Sequence, residues 1–354
     1  MGAEGSGISL RKSIVIIIAG LLGFIAYLYF FVGFDEILMV LGEVHPAEYS
    51  FYYSMTFVAI MLSVLFYALT WHELLEALSI NVGLKNTFLY CLLANFVDLI
   101  IPFEAVTGEL TRVYLLYRES KDNFGKSVAS VVSHRIISNI FALSALIVSS
   151  LALIRYAENI YIWTLLVLVI MGTAATIIGL FYLAMSEEAS SRLIDFLMRA
   201  TEVVTRNRVD LTEVKDKTEK NLTYFHQGVR TLGEHPINLM KAMVYTFISW
   251  LCHLVIYFFV FYALGYTKAS YFIPQMIVVF SISLATQTIP VGIPVGLVEI
   301  IMTSLYALFG IPPGLGGIAT TLIRVVTYWF QVIVGYVVAQ LMGVKTLLNA
   351  GKTD

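Results

Sequence analysis

Long apolar stretches dominate this chain, and each is about as long as the hydrocarbon core of a membrane is thick. A helix that crosses this core needs about 20 mostly apolar residues, because every backbone polar group must find its partner inside the segment. Hydrophobic residues make up 59% of the 354 residues and charged residues 13%, with a mean hydropathy of +0.84. Soluble domains are about 25% charged. The sequence therefore predicts an all-α integral membrane protein.

Six stretches are predicted to cross the membrane completely. They are residues 14–34, 51–70, 136–154, 160–185, 242–264 and 318–342. The first stretch is too long for the apolar part of a signal peptide, so we expect it to be retained. Two further apolar regions, 87–118 and 271–310, are interrupted near their middle by proline and glycine.

The distribution of Lys and Arg, which accumulate on the cytoplasmic side, predicts the orientation. The loop 35–49 has four acidic residues and no Lys or Arg, whereas 112–126, 186–236 and both chain ends carry basic residues. All the basic segments lie on one side only if 87–118 and 271–310 each return to the side from which they enter. We therefore predict two re-entrant helix pairs and cytoplasmic termini in the cell membrane. Eight plain crossings, the alternative, would move 186–236 and the basic cluster to the opposite side.

This topology divides the chain into two transmembrane halves, residues 1–185 and 237–354, joined by a cytoplasmic linker, 186–236. Within the linker, SRLIDFLMRATEVV places apolar residues at helical spacing opposite charged ones, which predicts an amphipathic helix. This helix either lies on the membrane surface or packs on neighbouring helices.

Two segments repeat the same order of features. The first is DLIIPFEAVTGELTRVYLLYRES followed by SVASVVSHRIISN, and the second is TQTIPVGIPVGLVEIIMTSLYAL followed by GIATTLIRVVTYW. Each has an Ile-Pro break, a glycine and a glutamate at a helix start. Glu109 precedes Arg135 by 26 residues, and Glu299 precedes Arg324 by 25. Because the two segments are predicted to enter from opposite sides, they indicate an inverted repeat of the kind that builds a midplane site in transporters.

Charged side chains at membrane depth cost about 2.5–3.5 kcal/mol each at the centre, so we expect them to face a protein interior or a wet cavity. The predicted substrate-binding residues lie at the two breaks and on the spans that follow them. They are Thr107, Gly108, Glu109, Arg112, Arg135, Asn139, Gly296, Glu299, Arg324, Tyr328 and Gln331. Asp98 and Glu104 are weaker candidates, and His134 is expected to be an ordinary buried histidine.

Each set of residues is given a role in binding an anion. Thr107 is predicted to cap its helix, which would leave free N–H groups and the positive helix end facing the break. Arg135 and Arg324 would hold a phosphate, and Glu109 and Glu299 would neutralise them when the site is empty. A purely structural role for these charge pairs stays open, as does one for Glu109 and Arg112, which stand three residues apart on one helix.

Motifs for soluble or enzymatic chemistry are missing from the sequence. It contains no HExxH, no GxSxG and no glycine-rich phosphate loop with its lysine, so we expect no metal, no cofactor and no enzyme activity. The absence of a basic soluble domain argues against nucleic-acid binding.

The two break regions resemble a known family. IPFEAVTGELTRVYLL with SVASVVSHRIISN, and IPVGIPVGLVEIIMTSLYALFGIPPGLGGIATTLIRVVTYW, are similar to motifs of the lysylphosphatidylglycerol synthase transmembrane-region family. The resemblance implies a flippase-type domain that moves a lipid. His134 departs from the motif, in which a glutamate usually precedes the arginine. The chain ends at Asp354 without a soluble acyltransferase domain, so we do not expect it to aminoacylate a lipid itself.

The sequence thus favours a translocator for a lipid with an anionic, phosphate-containing headgroup, either a phospholipid or a polyprenyl-phosphate-linked lipid. Its expected partners are this lipid and the surrounding bilayer, and a homodimer is an open alternative to a monomer. An intramembrane enzyme that acts on a lipid headgroup and a non-transporting membrane scaffold are the other two hypotheses.

Overall fold

The computed structural model describes residues 18, 22–26, 29–30, 33–100, 107–120, 124–154, 160–205, 212–287 and 295–343. All regular structure in these residues is helical, as predicted. The helices of the first part are α1 (Phe34–Glu43), α2 (Pro46–Ala77), α3 (Leu84–Ile100), α4 (Thr107–Ser120), α5 (Phe124–Ile154) and α6 (Ile160–Met185). They are followed by α7 (Glu187–Thr205), α8 (Thr212–Glu234), α9 (Pro236–Ala263), α10 (Ile273–Gln287), α11 (Leu297–Leu308), α12 (Pro313–Arg324) and α13 (Gln331–Leu341). A 3₁₀ turn, Thr267–Phe272, precedes α10, and a π-helical turn, Val325–Phe330, joins α12 to α13.

Six segments in the described part of the chain are long and apolar enough to cross a membrane. They are 46–77, 124–154, 166–183, 236–263, 267–287 and 313–341. Five of them overlap predicted crossings, which confirms a multi-pass membrane protein. The predicted first crossing, 14–34, lies mostly outside the described residues. The segment 267–287 belongs to the predicted pair 271–310, and its length alone would suffice for a crossing.

The two predicted breaks separate short helices. Between α3 and α4 the break comprises residues 101–106, and between α10 and α11 it includes 288–294; both stretches lie outside the described residues. The helices that follow the breaks, α4 with 14 residues and α11 with 12, are too short to cross a bilayer alone. The re-entrant course, the inverted repeat and the division at residues 185 and 237 stay predictions.

One compact unit consists of residues 1–64, 89–111 and 249–354. In this unit α11 packs against both α10 and α12. Helix α1 also packs on α12, where Glu36 accepts a hydrogen bond from the Gly314 N–H at 3.1 Å. The connection from α11 to α12 follows the usual helix signals. Gly310 has a φ of +79°, which ends α11, and Pro313 starts α12, where its missing N–H has no partner to lose.

The second compact unit consists of residues 65–88 and 112–248. Its long helix α5 packs against α6 and α8. At Gly228 the approach of α8 to α5 is so close that an added Cβ would come within 2.6 Å of the Ala129 Cβ. Within this unit Trp71 Nε1 donates to Ser130 Oγ at 3.2 Å, so an indole in an apolar helix finds a partner on α5.

The linker contains the predicted amphipathic helix, α7. Its Leu193 and Phe196 are exposed on the protein, and Arg192 is exposed beside Glu188, with which it forms an ion pair at 2.5 Å. Exposed apolar side chains on a helix that directly follows a candidate span fit a position at the membrane interface. The choice between that position and packing on other helices stays a prediction.

Gly335 provides a test of the packing between α3 and α13. An added Cβ would overlap the Phe96 side chain, with the Phe96 Cγ only 2.9 Å away. We expect Gly335→Ala to lower the unfolding free energy by about 1–3 kcal/mol, the usual cost of overpacking, in thermal unfolding of the detergent-solubilised protein. Gly179→Ala in α6 is the matched control, because its added Cβ meets nothing within 4 Å. A loss of stability in the control as large as that in Gly335→Ala would contradict this account.

The orientation of the short helices can be tested by single-cysteine labelling. In a background of Cys91→Ser and Cys252→Ser, cysteines at the exposed positions Arg118 and Glu234 should react only with reagent added from the cytoplasmic side. In the re-entrant topology, Arg118 ends the pair 87–118 and Glu234 lies in the linker 186–236, so both are on the cytoplasmic side. Labelling of both from outside would support eight plain crossings instead.

Candidate functional site

A buried ion pair joins α11 to α12. Arg324 Nε donates to Glu299 Oε1 at 2.6 Å, and the two residues are only 3% and 4% exposed. The second oxygen of Glu299, Oε2, accepts the backbone N–H of Gly296 at 2.6 Å. Gly296 has a φ of +94°, a conformation that glycine adopts without strain, and this bend lets the carboxylate reach back to the helix start. The predicted pairing of Glu299 with Arg324 is therefore present.

The rest of the Arg324 guanidinium is covered by an aromatic ring on one face and lacks hydrogen bonds at one edge. Its Cζ lies 4.7 Å from the ring centroid of Tyr328, a cation–π distance. Tyr328 is itself fixed, because its hydroxyl donates to the Leu99 carbonyl oxygen at 3.1 Å. The two terminal nitrogens of Arg324, Nη1 and Nη2, are buried and have no hydrogen-bond partner among the described residues. Each of these groups can donate two hydrogen bonds, and no described residue accepts them.

The polar stripe predicted on the helix after Arg324 exists, but its members mostly bond to the protein. Thr327 donates to the Ile323 carbonyl oxygen at 2.9 Å, and Gln331 Nε2 donates to the Thr327 carbonyl oxygen at 2.7 Å. The Gln331 Oε1 accepts from Asn95 Nδ2 at 3.4 Å. Gln331 therefore contributes to packing between α13 and α3 rather than offering a free amide.

Two further tyrosines of the same unit are buried. Tyr257 and Ser283 share a hydrogen bond of 2.9 Å between their hydroxyl oxygens. Tyr306, on α11, is fully buried, and its hydroxyl has no hydrogen-bond partner among the described residues. The sequence analysis missed these residues, because a tyrosine in an apolar helix looks like an ordinary core aromatic.

The first break is built differently from the prediction. The carboxylate of Asp98, on α3, accepts the Gly108 N–H at 2.6 Å and the Thr107 hydroxyl at 3.0 Å. The N–H of Gly108 at this helix start is therefore not free, because a carboxylate of the protein accepts it. Capping of the helix by Thr107 itself stays a prediction.

The space beside Gly108 is likewise filled by the protein. An added Cβ would overlap the Asp98 carboxylate and come within 2.8 Å of the Ala94 carbonyl oxygen. Gly108 thus permits the close approach of α3 to α4, and it does not leave room for a headgroup. At both breaks, a glycine N–H is bonded to a carboxylate of the protein itself.

Arg112 has a partner that the sequence did not predict. Its Nη1 lies 2.7 Å from His134 Nδ1, and both side chains are buried. Arginine has no acceptor, so it donates and His134 is a neutral imidazole with its proton on Nε2. The guanidinium also stands over two aromatic rings, 5.4 Å from the centroid of Tyr67 and 5.1 Å from that of Trp71. These two aromatics are four residues apart on α2, a spacing that puts both on one face.

Besides Thr107, three predicted residues of the first half are only partly buried. Glu109, Arg135 and Asn139 all have intermediate exposure. The pairing of Glu109 with Arg135 as a counterpart of Glu299 and Arg324 stays a prediction. The described contacts between α4 and α5 include the bond of Arg112 with His134 and the edge-on packing of the Tyr117 and Phe124 rings.

The family described as the lysylphosphatidylglycerol synthase transmembrane region matches residues 15–335 of this chain. A UPF0104 membrane protein of Pyrococcus horikoshii is 24% identical over 283 residues, which cover 77% of this chain and 82% of the relative. A UPF0104 membrane protein of Methanothermobacter thermautotrophicus is 20% identical, and the match covers 90% of this chain and 92% of the relative. A UPF0104 membrane protein of Methanocaldococcus jannaschii is 21% identical, and the match covers 93% of this chain and 95% of the relative. No solved structure matches the chain.

The bond between Arg112 and His134 gives a prediction for stability. We expect His134→Leu to lower the unfolding free energy by about 1.5–3 kcal/mol, because a hydrogen bond to a buried charged group is lost. His134→Glu should keep most of the stability, since a carboxylate can accept from the same guanidinium. His253→Leu is the control in thermal unfolding: His253 contacts the Phe280 ring at 5.0 Å between centroids but has no arginine partner in the described part of the chain. Equal losses in the two leucine variants would contradict a specific role for the Arg112 bond.

Proposed function

Because the chain belongs to the lysylphosphatidylglycerol synthase transmembrane-region family, we propose that it translocates a lipid whose headgroup carries an anionic phosphate. The observation that supports this proposal is the edge of the buried Arg324 guanidinium that lacks hydrogen bonds. A guanidinium that is 3% exposed leaves Nη1 and Nη2 without a partner among the described residues. Unsatisfied charged donors inside a protein are costly unless a ligand or water bonds to them. A phosphate fits this edge, because two of its oxygens match the guanidinium fork.

Glu299 has two tasks in this proposal. It holds the Arg324 Nε, which fixes the direction of the fork, and it balances the positive charge while the site is empty. Since the ion pair is preserved at Nε when a phosphate binds at Nη1 and Nη2, the ligand adds one negative charge to a neutral pair. Binding is then strong enough for recognition but is weakened by the nearby carboxylate, which favours release.

Arg135 is proposed to hold phosphate in the first half, as the counterpart of Arg324. Its intermediate exposure leaves it accessible to a ligand. Arg112 is assigned a structural role instead, because its guanidinium is enclosed by His134, Tyr67 and Trp71. The helix starts contribute less than the sequence suggested, since Asp98 and Glu299 already occupy the N–H groups of Gly108 and Gly296.

Mutation of the Arg324 pair tests the proposal. In vesicles that contain the purified protein and a fluorescent anionic phospholipid, Arg324→Lys should slow translocation by roughly tenfold or more, because an ammonium cannot make the two parallel hydrogen bonds of the fork. Arg324→Met should abolish it and also lower stability by about 3–5 kcal/mol, because Glu299 is left as a buried unpaired charge. Arg192→Met is the control, since Arg192 is exposed and lies on the linker helix.

The double variant Arg324→Met with Glu299→Gln separates binding from stability. Glutamine still offers an oxygen to the Gly296 N–H, and no buried charge remains, so most of the lost stability should return. We expect this folded double variant to be inactive. If it translocates lipid at the wild-type rate, the pair is structural and the phosphate site is rejected. Wild-type protein that moves no lipid in this assay would favour the scaffold hypothesis.

A further inference from the structure

We propose that a groove between the start of α2 and the end of α9 binds a quaternary ammonium group. The groove has a volume of about 420 Å³, within the range of about 300–1,000 Å³ that is usual for small-molecule sites. It shares no lining residue with the Arg324 pair, so the inference does not depend on the proposed function. The lining residues belong to one compact unit and include three aromatic rings and one carboxylate; they are Ala47, Glu48, Phe51, Tyr52, Tyr262 and Thr267.

The aromatic walls of the groove come from two helices. On α2, Glu48 and Tyr52 stand four residues apart, which puts them on one face of the helix. The centroid of the Tyr52 ring lies 5.6 Å from that of Tyr262, on α9, and 5.3 Å from that of Phe51. Tyr52 and Tyr262 are half-buried, so the neighbouring rings hold them in place while part of each stays accessible. A ring face attracts a cation within about 6 Å of its centroid without a hydrogen bond, so these rings suit a methylated ammonium, which has no N–H to donate.

Glu48 supplies the negative charge of the groove. It is exposed, and its carboxylate forms no hydrogen bond or ion pair with another described residue. An acidic residue in the first turn of a helix also stabilises the helix start, so a purely local role for Glu48 is the alternative. That role would not need the ring of Tyr262 on another helix. A carboxylate beside accessible aromatic rings therefore favours a bound cation.

The position of the groove fits the level of lipid headgroups. The candidate span 46–77 begins beside it, and the candidate span 236–263 ends there. Phe51 is 60% exposed, as expected of an aromatic side chain at the membrane interface. Lys268 directly follows the lining residue Thr267, is exposed and forms no ion pair with another described residue. An ammonium in the groove with a phosphate beside Lys268 matches a phosphocholine headgroup, and free choline carries the same ammonium, so the experiments compare both sources.

Choline and its neutral analogue dimethylbutanol test the role of the charge. The two molecules have the same shape, because a carbon atom replaces the choline nitrogen in the analogue. Saturation-transfer NMR measures the Kd of each for the full-length protein in a maltoside detergent, which contains no ammonium group. We expect choline to bind roughly tenfold more tightly, because two aromatic rings and a carboxylate attract its charge. Equal affinities, or no binding of choline, would overturn the proposal.

Variants of two lining residues test the site itself. Glu48→Gln should weaken choline binding roughly fivefold and leave dimethylbutanol binding unchanged, because only the charge is removed. Tyr262→Leu should weaken choline binding by a similar factor, whereas Tyr262→Phe keeps the aromatic face and should bind as wild type does. Glu43→Gln is the matched control, since Glu43 is exposed in the same predicted outer loop and does not line the groove. If Tyr262→Leu is unstable, the comparison of Glu48→Gln with Glu43→Gln decides. A Glu48→Gln protein that loses thermal stability but binds choline like wild type would assign Glu48 to the helix start alone and reject the inference.

Two single-chain lipids identify the source of the ammonium. Lysophosphatidylcholine and lysophosphatidylglycerol with the same acyl chain are compared in the same maltoside micelles. Tighter binding of lysophosphatidylcholine that is lost in Glu48→Gln would assign the groove to a lipid headgroup. Equal binding of the two lipids, together with binding of free choline, would assign it to a soluble ammonium compound and support the site equally. Weaker binding of free choline by Lys268→Met would contradict the proposal, because removal of a nearby positive charge cannot reduce the attraction for a cation.

Discussion

The cost of burying a charge governs the arrangement around α11 and α12. Arg324 is excluded from water, so it must be balanced, and Glu299 does this from the adjacent helix. The same carboxylate also accepts the Gly296 N–H at the start of its own helix. One side chain therefore satisfies a backbone N–H at the helix start and balances the charge of Arg324. Tyr328 then covers one face of the guanidinium. The result is a pair that is neutral in charge, with two arginine nitrogens that have no hydrogen-bond partner among the described residues. The proposed anionic ligand would complete these bonds.

The first half meets the same physical demand with other residues. Arg112 gives a hydrogen bond to a neutral imidazole, His134, and spreads its charge over the rings of Tyr67 and Trp71. Aromatic faces attract a cation without carrying a charge that must itself be buried. The two arginines are therefore stabilised in different ways. The aromatic rings around Arg112 suit an arginine with a structural role, whereas the Glu299 pair suits an arginine that also binds the proposed ligand.

Sequence patterns predicted most of the membrane-length helices and the pairing of Glu299 with Arg324. Apolar stretches placed five of the six membrane-length helices, and the spacing of Glu299 and Arg324 indicated their pairing, because both depend on residue type and local position. The cap by Asp98 was missed, since it crosses from α3 to α4 and no local rule reveals the partner. The His134 bond was missed because a buried histidine has many partners open to it. The hydroxyl of Tyr306 was missed because burial hides its lack of a partner from any sequence pattern.

The π-helical turn after Arg324 has a consequence for how this site is joined to the rest of its helix. In an α-helix each residue turns the chain by about 100°, and a π turn accommodates one residue more than an α turn does. The six residues Val325–Phe330 therefore set the rotation of Arg324 relative to α13, whose Gly335 is locked against Phe96. Deletion of one residue in this turn would leave α13 packed against Phe96 but would rotate Arg324 to another side of the helix. The π-helical turn therefore determines the direction of the Arg324 guanidinium, while the packing of Gly335 against Phe96 determines the position of α13.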